Sequence, residues 1–249
     1  MSRDNNEDSV VFDEATHTAV LADGMGGYNA GEIASGMATA FIKSELSRWL
    51  SEAGAGAKSR EVRRAMEICV DNANLSIFNS ASSNAHYAGM GTTLVVGVFR
   101  ADKLLIGHIG DSRCYRLRAG AMDQITKDHS LLQEQIDAGL ITPEQAATSS
   151  IRNLVTRALG VEELVLLEVN EYPVESGDIY LMCSDGLSDM VEDSVIAEIV
   201  AAETGLEQKA TQLIDAANAN GGRDNISVLL VAVSEAAEKR GLIARLLGK

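Results

Sequence analysis

The sequence predicts an α+β fold in which antiparallel sheets carry helices on their outer faces. Three observations lead there. Strand-like runs follow one another through short turns, and helical stripes come in groups rather than after every strand. The length of 249 residues suits one large core. A parallel doubly wound sheet would instead alternate strand and helix regularly.

In chain order, residues 9–12 and 18–22 read as the opening strands. Residues 92–99, 103–109, 113–118, 179–183 and 226–233 follow. All are short, rich in Val, Ile and Leu, and bounded by Gly, Asp or Ser. Two long helices are expected before residue 92. In residues 59–80, Val62, Met66, Cys69, Val70, Ala73 and Ile77 recur at three- and four-residue spacing, which draws one apolar stripe. Leu206, Ala210, Leu213, Ile214 and Ala217 repeat the pattern near the end of the chain. A further helix starts at Thr142-Pro143-Glu144-Gln145, with Thr as cap, Pro at the first helical position and Gln closing a capping box. The polar stretch from about 128 to 160 interrupts the strands and reads as a surface flap. Residues 1–234 are expected to form one domain that includes this flap. Residues 235–249 then form a short amphipathic tail, with Lys239, Arg240, Arg245 and Lys249 set against Leu242, Ile243, Leu246 and Leu247. A frayed helix is the plainer reading of that tail, and docking to a partner or an anionic membrane surface the sharper one.

Composition narrows the function classes. Hydrophobic residues at 46% and charged residues at 23% are those of a folded chain rather than a disordered one. No apolar run is long enough to span a bilayer and no signal-peptide pattern opens the chain, so the cytoplasm is the expected compartment. A net charge of −15 argues against a nucleic-acid partner, because phosphate backbones require clustered Lys and Arg. Cys69, Cys114 and Cys183 are far apart and form no C-x-x-C pair, which reads as core packing rather than zinc binding or a disulfide framework.

The chemistry lies in acidic residues at strand ends. Glu7-Asp8 precedes the first strand. Asp23 follows Ala19-Val20-Leu21-Ala22 and leads into Gly24-Met25-Gly26-Gly27. Asp111 follows Ile109-Gly110, Asp185 follows Cys183-Ser184, and Asp224 precedes the last strand. Any one of them is explained as a turn residue. Gathered at one sheet edge, they would repel one another unless a cation sat between them. Oxygen-only ligands favour Mg²⁺ or Mn²⁺ over zinc, and His17, His86, His108 and His129 have no paired metal-ligand spacing. A two-metal carboxylate site carries out in-line displacement at phosphorus. Spacing alone leaves a phosphomonoesterase, a nuclease and a pyrophosphatase all open.

The same residues fall in an ordered series: Arg3-Asp4-Asn5-Asn6-Glu7-Asp8-Ser9, Ala22-Asp23-Gly24-Met25-Gly26-Gly27, Gly89-Met90-Gly91-Thr92-Thr93, Gly110-Asp111-Ser112-Arg113, Cys183-Ser184-Asp185-Gly186-Leu187 and Arg223-Asp224-Asn225-Ile226. In this the chain resembles the metal-dependent protein phosphatases (the PPM, or type 2C, family), its bacterial members in particular, from Arg3 to about Val233. The resemblance implies a four-layer α/β/β/α sandwich with two Mn²⁺ or Mg²⁺ ions, and a third weaker one, at one edge. It implies that Asp23 bridges two ions beside the Gly24 carbonyl, and that Asp185 and Asp224 complete one of them. Glu7, with Asp8 acting through water, would serve the other, and Asp111 with Asp185 would hold the third. Arg3 would grip the substrate phosphate, and Thr92, Thr93 and Asn225 would support the site. A metal-bridging hydroxide would then attack phosphoserine or phosphothreonine directly, in phosphoproteins modified by a cognate Ser/Thr kinase. Two alternatives are another two-metal phosphohydrolase and a silent phosphoprotein-binding pseudophosphatase. The latter should lack Asp23, Asp185 or Asp224, and all three are present. Met25 stands where some members carry a histidine credited with protonating the leaving group, and Thr148-Ser149-Ser150 stands where many carry His-Pro.

Overall fold

The computed structural model describes residues 5–27, 30–147, 149 and 154–234, so Arg3 and the 235–249 tail lie outside the described residues. One sheet has the spatial order β1 (Asp8–Asp13), β2 (Thr18–Met25), β4 (Leu94–Phe99), β5 (Lys103–Ile109), β8 (Glu168–Pro173). The two-residue β3 (Gly91–Thr92) pairs with the end of β2. The other sheet runs β10 (Val228–Ala232), β9 (Ile179–Cys183), β6 (Arg113–Arg118), β7 (Ala121–Gln124). Every pairing in both sheets is antiparallel, as the short turns require.

Strand alternation builds the layers. In β2, Ala19 and Leu21 point into the core between the sheets, while Val20 and Ala22 point outward against α1 (Ala30–Ala53) and α2 (Ser59–Ser83). In β9, Tyr180 and Met182 face the first sheet. Leu181 and Cys183 face outward, where they join α6 (Asp193–Ala201) and α7 (Leu206–Ala219) through Ile196, Val200, Leu213 and Ala217. Both faces of the central strands are therefore buried, which is why they read as unbroken apolar runs. Trimming a fully buried side chain such as Ile42 or Ile77 to alanine should cost about 2–5 kcal/mol. Cys69, Cys114 and Cys183 are all buried and unpaired, as core residues.

Between β7 and β8 the chain forms α3 (Leu131–Asp137) and α4 (Pro143–Ala147). The capping box of α4 is formed in both directions. The Thr142 N–H donates to Gln145 Oε1 at 2.8 Å, and the Gln145 N–H donates to Thr142 Oγ1 at 3.3 Å. A short helix, α5 (Asp185–Ser188), follows β9 directly. Among the described residues no helix is long and apolar enough to cross a membrane.

Several strand boundaries differ from the sequence reading: β1 gains a residue at each end, β2 runs on to Met25 so that Asp23 lies inside it, and β10 ends at Ala232. The run 92–99 breaks at Thr93, between β3 and β4, and β10 begins at Val228 rather than at residue 226. At the first break the Thr93 backbone N–H donates to the Asp23 carbonyl at 2.9 Å, and Thr93 Oγ1 accepts the Asp23 N–H at 3.0 Å. Side-chain bonding there replaces a regular ladder and fixes the backbone that carries Asp23.

Candidate metal centre

Asp8 and Asp23 are direct partners in the β1–β2 register, so antiparallel pairing alone sets them side by side. β9 ends one residue before Ser184, whose hydroxyl donates to Asp8 Oδ2 at 2.8 Å and accepts the Ser227 N–H at 3.0 Å. That bond joins the two sheets at their common edge and brings in Asp185, the first residue of α5. Asn225 closes the far side. Its Oδ1 accepts the Glu7 N–H at 2.9 Å, and its own N–H donates to Asp224 Oδ1 at 2.8 Å.

Backbones approach closely here. A Cβ on Gly24 would lie 2.1 Å from the Gly31 carbonyl oxygen, so only glycine lets the strand run beneath the start of α1. The buried Glu7 lies in the same place: its carbonyl accepts the Gly24 N–H at 3.0 Å, and its carboxyl carbon would lie 2.9 Å from a Cβ on Gly31.

The electrostatics are those of repelling acids. Burial first, and then the charges of Asp8, Asp185 and Asp111, hold the Asp23 carboxyl well above the usual range. Burial, with Asp111, Asp189 and Asp224 nearby, pushes Asp185 up to about 7. Burial and the charge of Asp128 push Asp111 up to about 6. Asp8 is raised by burial and by Asp224, in part offset by Ser227 and Ser184. Arg113 acts on Asp111, but Asp128 already holds that guanidinium at 2.7–3.1 Å. The structure thus gathers Asp8, Asp23, Asp111, Asp185 and Asp224 in one electrostatic unit, with Glu7 and Gly24 packed behind Asp23.

This donor set fits hard divalent cations. It is all oxygen, it carries excess negative charge, and Asp8 Oδ1 is buried with no hydrogen-bond partner. Ser184, Ser112, Asp189 and Gly31 are site residues that sequence reasoning did not single out. Ser184 and Ser112 lie inside motifs already noted, yet their partners, Asp8 and Thr93, are distant in sequence.

A second cluster invites the same reading and does not support it. Ligand atoms of His108, His129 and Glu168 lie within 4.8 Å of one another. The two rings, however, stack with centroids 4.6 Å apart and planes 17° off parallel, so their in-plane lone pairs do not converge. His129 Nδ1 accepts the Gly110 N–H at 3.2 Å, which leaves the ring proton on Nε2, facing Glu168 Oε2 at 3.3 Å. The Arg157 guanidinium stands 3.4 Å from that same nitrogen. A protonated nitrogen beside a guanidinium is a poor metal ligand.

A two-sheet sandwich with helices on both outer faces and a carboxylate cluster at one edge is the class of protein that the motifs imply. The chain belongs to the protein phosphatase 2C family, whose description fits residues 2–230. It is 38% identical over 232 residues to the serine/threonine phosphatase stp of Listeria innocua, covering 92% of this chain and 90% of that one. The crystal structure of the Mycobacterium tuberculosis serine/threonine phosphatase PstP/Ppp superposes with a TM-score of 0.84 at 37% identity, over 94% of this chain and 95% of that one. The catalytic domain of PstP in complex with two manganese ions matches with a TM-score of 0.82 at 36% identity, over 94% of each chain.

Proposed function

We infer that this chain is a metal-dependent protein serine/threonine phosphatase that hydrolyses phosphoserine and phosphothreonine directly, without a covalent phosphoenzyme. The observation that carries the reading is the gathering of five aspartates from separate chain segments into one cluster, in which burial and neighbouring acids raise the carboxyls of Asp23, Asp185, Asp111 and Asp8. Asp23, the Gly24 carbonyl, Glu7, Asp8, Asp185 and Asp224 are the residues that would hold two Mn²⁺ or Mg²⁺ ions, and Asp111 with Asp185 a third. When bound, such ions supply an acidified water as nucleophile and neutralise charge on the phosphoryl oxygens.

The protein's own part is positioning and proton supply. Ser184, Asn225 and Thr93 fix the backbone and carboxyl directions by hydrogen bonds. Arg3 is assigned to the substrate phosphate, which a planar bidentate donor suits. Met25 offers no proton to the departing serine or threonine oxygen. Asp111, whose burial brings its carboxyl close to neutrality, is the acid assigned to that role. Residues 128–160 form the flap in this reading. The substrates are phosphoproteins of a cognate Ser/Thr kinase, in the cytoplasm. The charge of −15 weighs against a nucleic-acid substrate.

The test is phosphate release from a phosphothreonine peptide with and without Mn²⁺. Turnover should disappear in EDTA and return with Mn²⁺ or Mg²⁺ but not Zn²⁺. Full activity after exhaustive chelation would sink the assignment.

A further inference from the structure

His129 holds the residue before Asp111 at two points. Its backbone N–H donates to the Gly110 carbonyl at 2.9 Å, and its ring Nδ1 accepts the Gly110 N–H at 3.2 Å. Gly110 has a φ of +99°, a left-handed value that side-chain-bearing residues avoid, and a Cβ there would lie 2.7 Å from Thr93 Cγ2. The direction in which Asp111 leaves the β5–β6 turn is therefore set at a backbone position with little intrinsic preference of its own.

The ring is committed to this contact. Glu168 Oε2 on the far nitrogen is an acceptor, which keeps the proton on Nε2 and leaves Nδ1 bare for Gly110. Burial, and then the neighbouring His108, hold the His129 pKa below its ordinary value, in keeping with a neutral ring. His108 stacks on it, and His108 Nε2 donates to the Lys127 carbonyl at 2.7 Å, fixing the chain just before His129. The His129 carbonyl in turn accepts the Thr156 N–H at 2.8 Å, so the same residue also holds the returning end of the 128–160 segment.

We propose that His129 is a positioning residue of the phosphatase site: through Nδ1 it locks Gly110 and thereby aims the Asp111 carboxylate at Asp23 and Asp185. The proposal rests on the functional reading above as regards Asp111. The clamp itself is a property of the metal-free protein and can be read without turnover.

The discriminating pair is His129→Asn and His129→Gln. An Asn Oδ1 occupies the place of Nδ1 and can still accept the Gly110 N–H, whereas a Gln amide reaches only the place of Nε2. In metal-free protein, exchange of the Gly110 amide should be about fivefold to tenfold faster in the Gln variant, the scale of one lost hydrogen bond, and near wild type in the Asn variant. With Mn²⁺, the Gln variant should keep two tight ions, lose about tenfold in affinity for the weak one and lose kcat on a phosphothreonine peptide, with rescue by Asn. Equal behaviour of Asn and Gln in amide exchange and in weak-ion affinity would reduce His129 to packing and overturn the proposal. So would wild-type exchange in the Gln variant. A wild-type protein with no Mn²⁺-dependent turnover would overturn the functional reading instead, while leaving the amide result to stand or fall alone.

Discussion

Two sets of carboxylates in this molecule have opposite surroundings. Asp178, 1% exposed, receives the Arg118 guanidinium through two bonds of 2.6 and 2.7 Å, the Glu175 N–H at 2.9 Å and the Tyr180 hydroxyl at 3.1 Å. Burial alone would push its carboxyl up. The hydrogen bonds from Arg118, the Glu175 N–H and Tyr180 outweigh that, and it lies below its usual value. Asp111 is buried and Asp23 and Asp185 are half-buried, yet their neighbours are other acids, and all three are raised. A carboxylate with its own guanidinium serves the fold. Carboxylates set against one another are short of a cation that the described chain does not supply.

The largest expected effect separates these sets directly. Asp185→Ala or Asp224→Ala should reduce phosphopeptide turnover by at least ~10³-fold, the order of several kcal/mol of lost transition-state stabilisation. The metal-free variants should melt no lower than wild type, because a repelling charge has been removed. Asp178→Ala should do the reverse, losing about 3 kcal/mol of stability by breaking a buried pair while keeping kcat at a permissive temperature. Thermal melts in EDTA alongside kinetics in Mn²⁺ check both. A large stability loss in Asp185→Ala would make that residue structural and erase the contrast.

Acidity offers a second, smaller separation. An acid whose folded pKa lies above its ordinary 3.8 binds more protons folded than unfolded, so falling pH stabilises the fold through that group. With Asp185 at about 7 and Asp111 at about 6, the metal-free protein should gain several degrees in Tm between pH 8 and pH 5. Asp178 has the opposite sign. Its contribution is complete above the ordinary carboxylate value and is lost only on acidification below that. EDTA-treated melts across this range are the measurement, and a Tm that falls steadily from pH 8 to pH 5 would contradict the repulsion.

Much of this was readable from residues alone. Strands with both faces buried read as continuous Val, Ile and Leu, and the aspartates stood at or near their ends. The helix α1 carried no comparable stripe, because the half that lies over β2 buries Ala30, Ala34 and Ala38, small residues that allow close approach but carry little periodic signal. The strands β7 and β8 escaped because they are sheet-edge strands with polar alternation, as in Glu168-Val169-Asn170-Glu171. At the site, residue types pointed to metal chemistry, but the bonds that aim them did not show. Ser184 to Asp8, Asn225 to Glu7 and His129 to Gly110 join positions far apart in sequence, and only the pairing of strands brings them together.

The smallest expected effect concerns which acid of the raised set gives up a proton during turnover. Asp111 lies at the margin of that set, between Asp23 and Asp185 on one side and the Asp128–Arg113 pair on the other. Asn at this position keeps the shape but can neither carry the proton nor bring a charge to the weak ion. Asp111→Asn should therefore leave two tightly bound Mn²⁺ ions and lower kcat for a phosphothreonine peptide by about tenfold, within the range for general acid catalysis. The loss on p-nitrophenyl phosphate should be only about twofold, because nitrophenolate leaves with little need of a proton. Parallel measurement of bound Mn²⁺ and of both rates decides the matter. Equal losses on the two substrates would remove proton donation and leave charge as the role of Asp111. Wild-type rates on both would return it to the plain part of a residue in the β5–β6 turn.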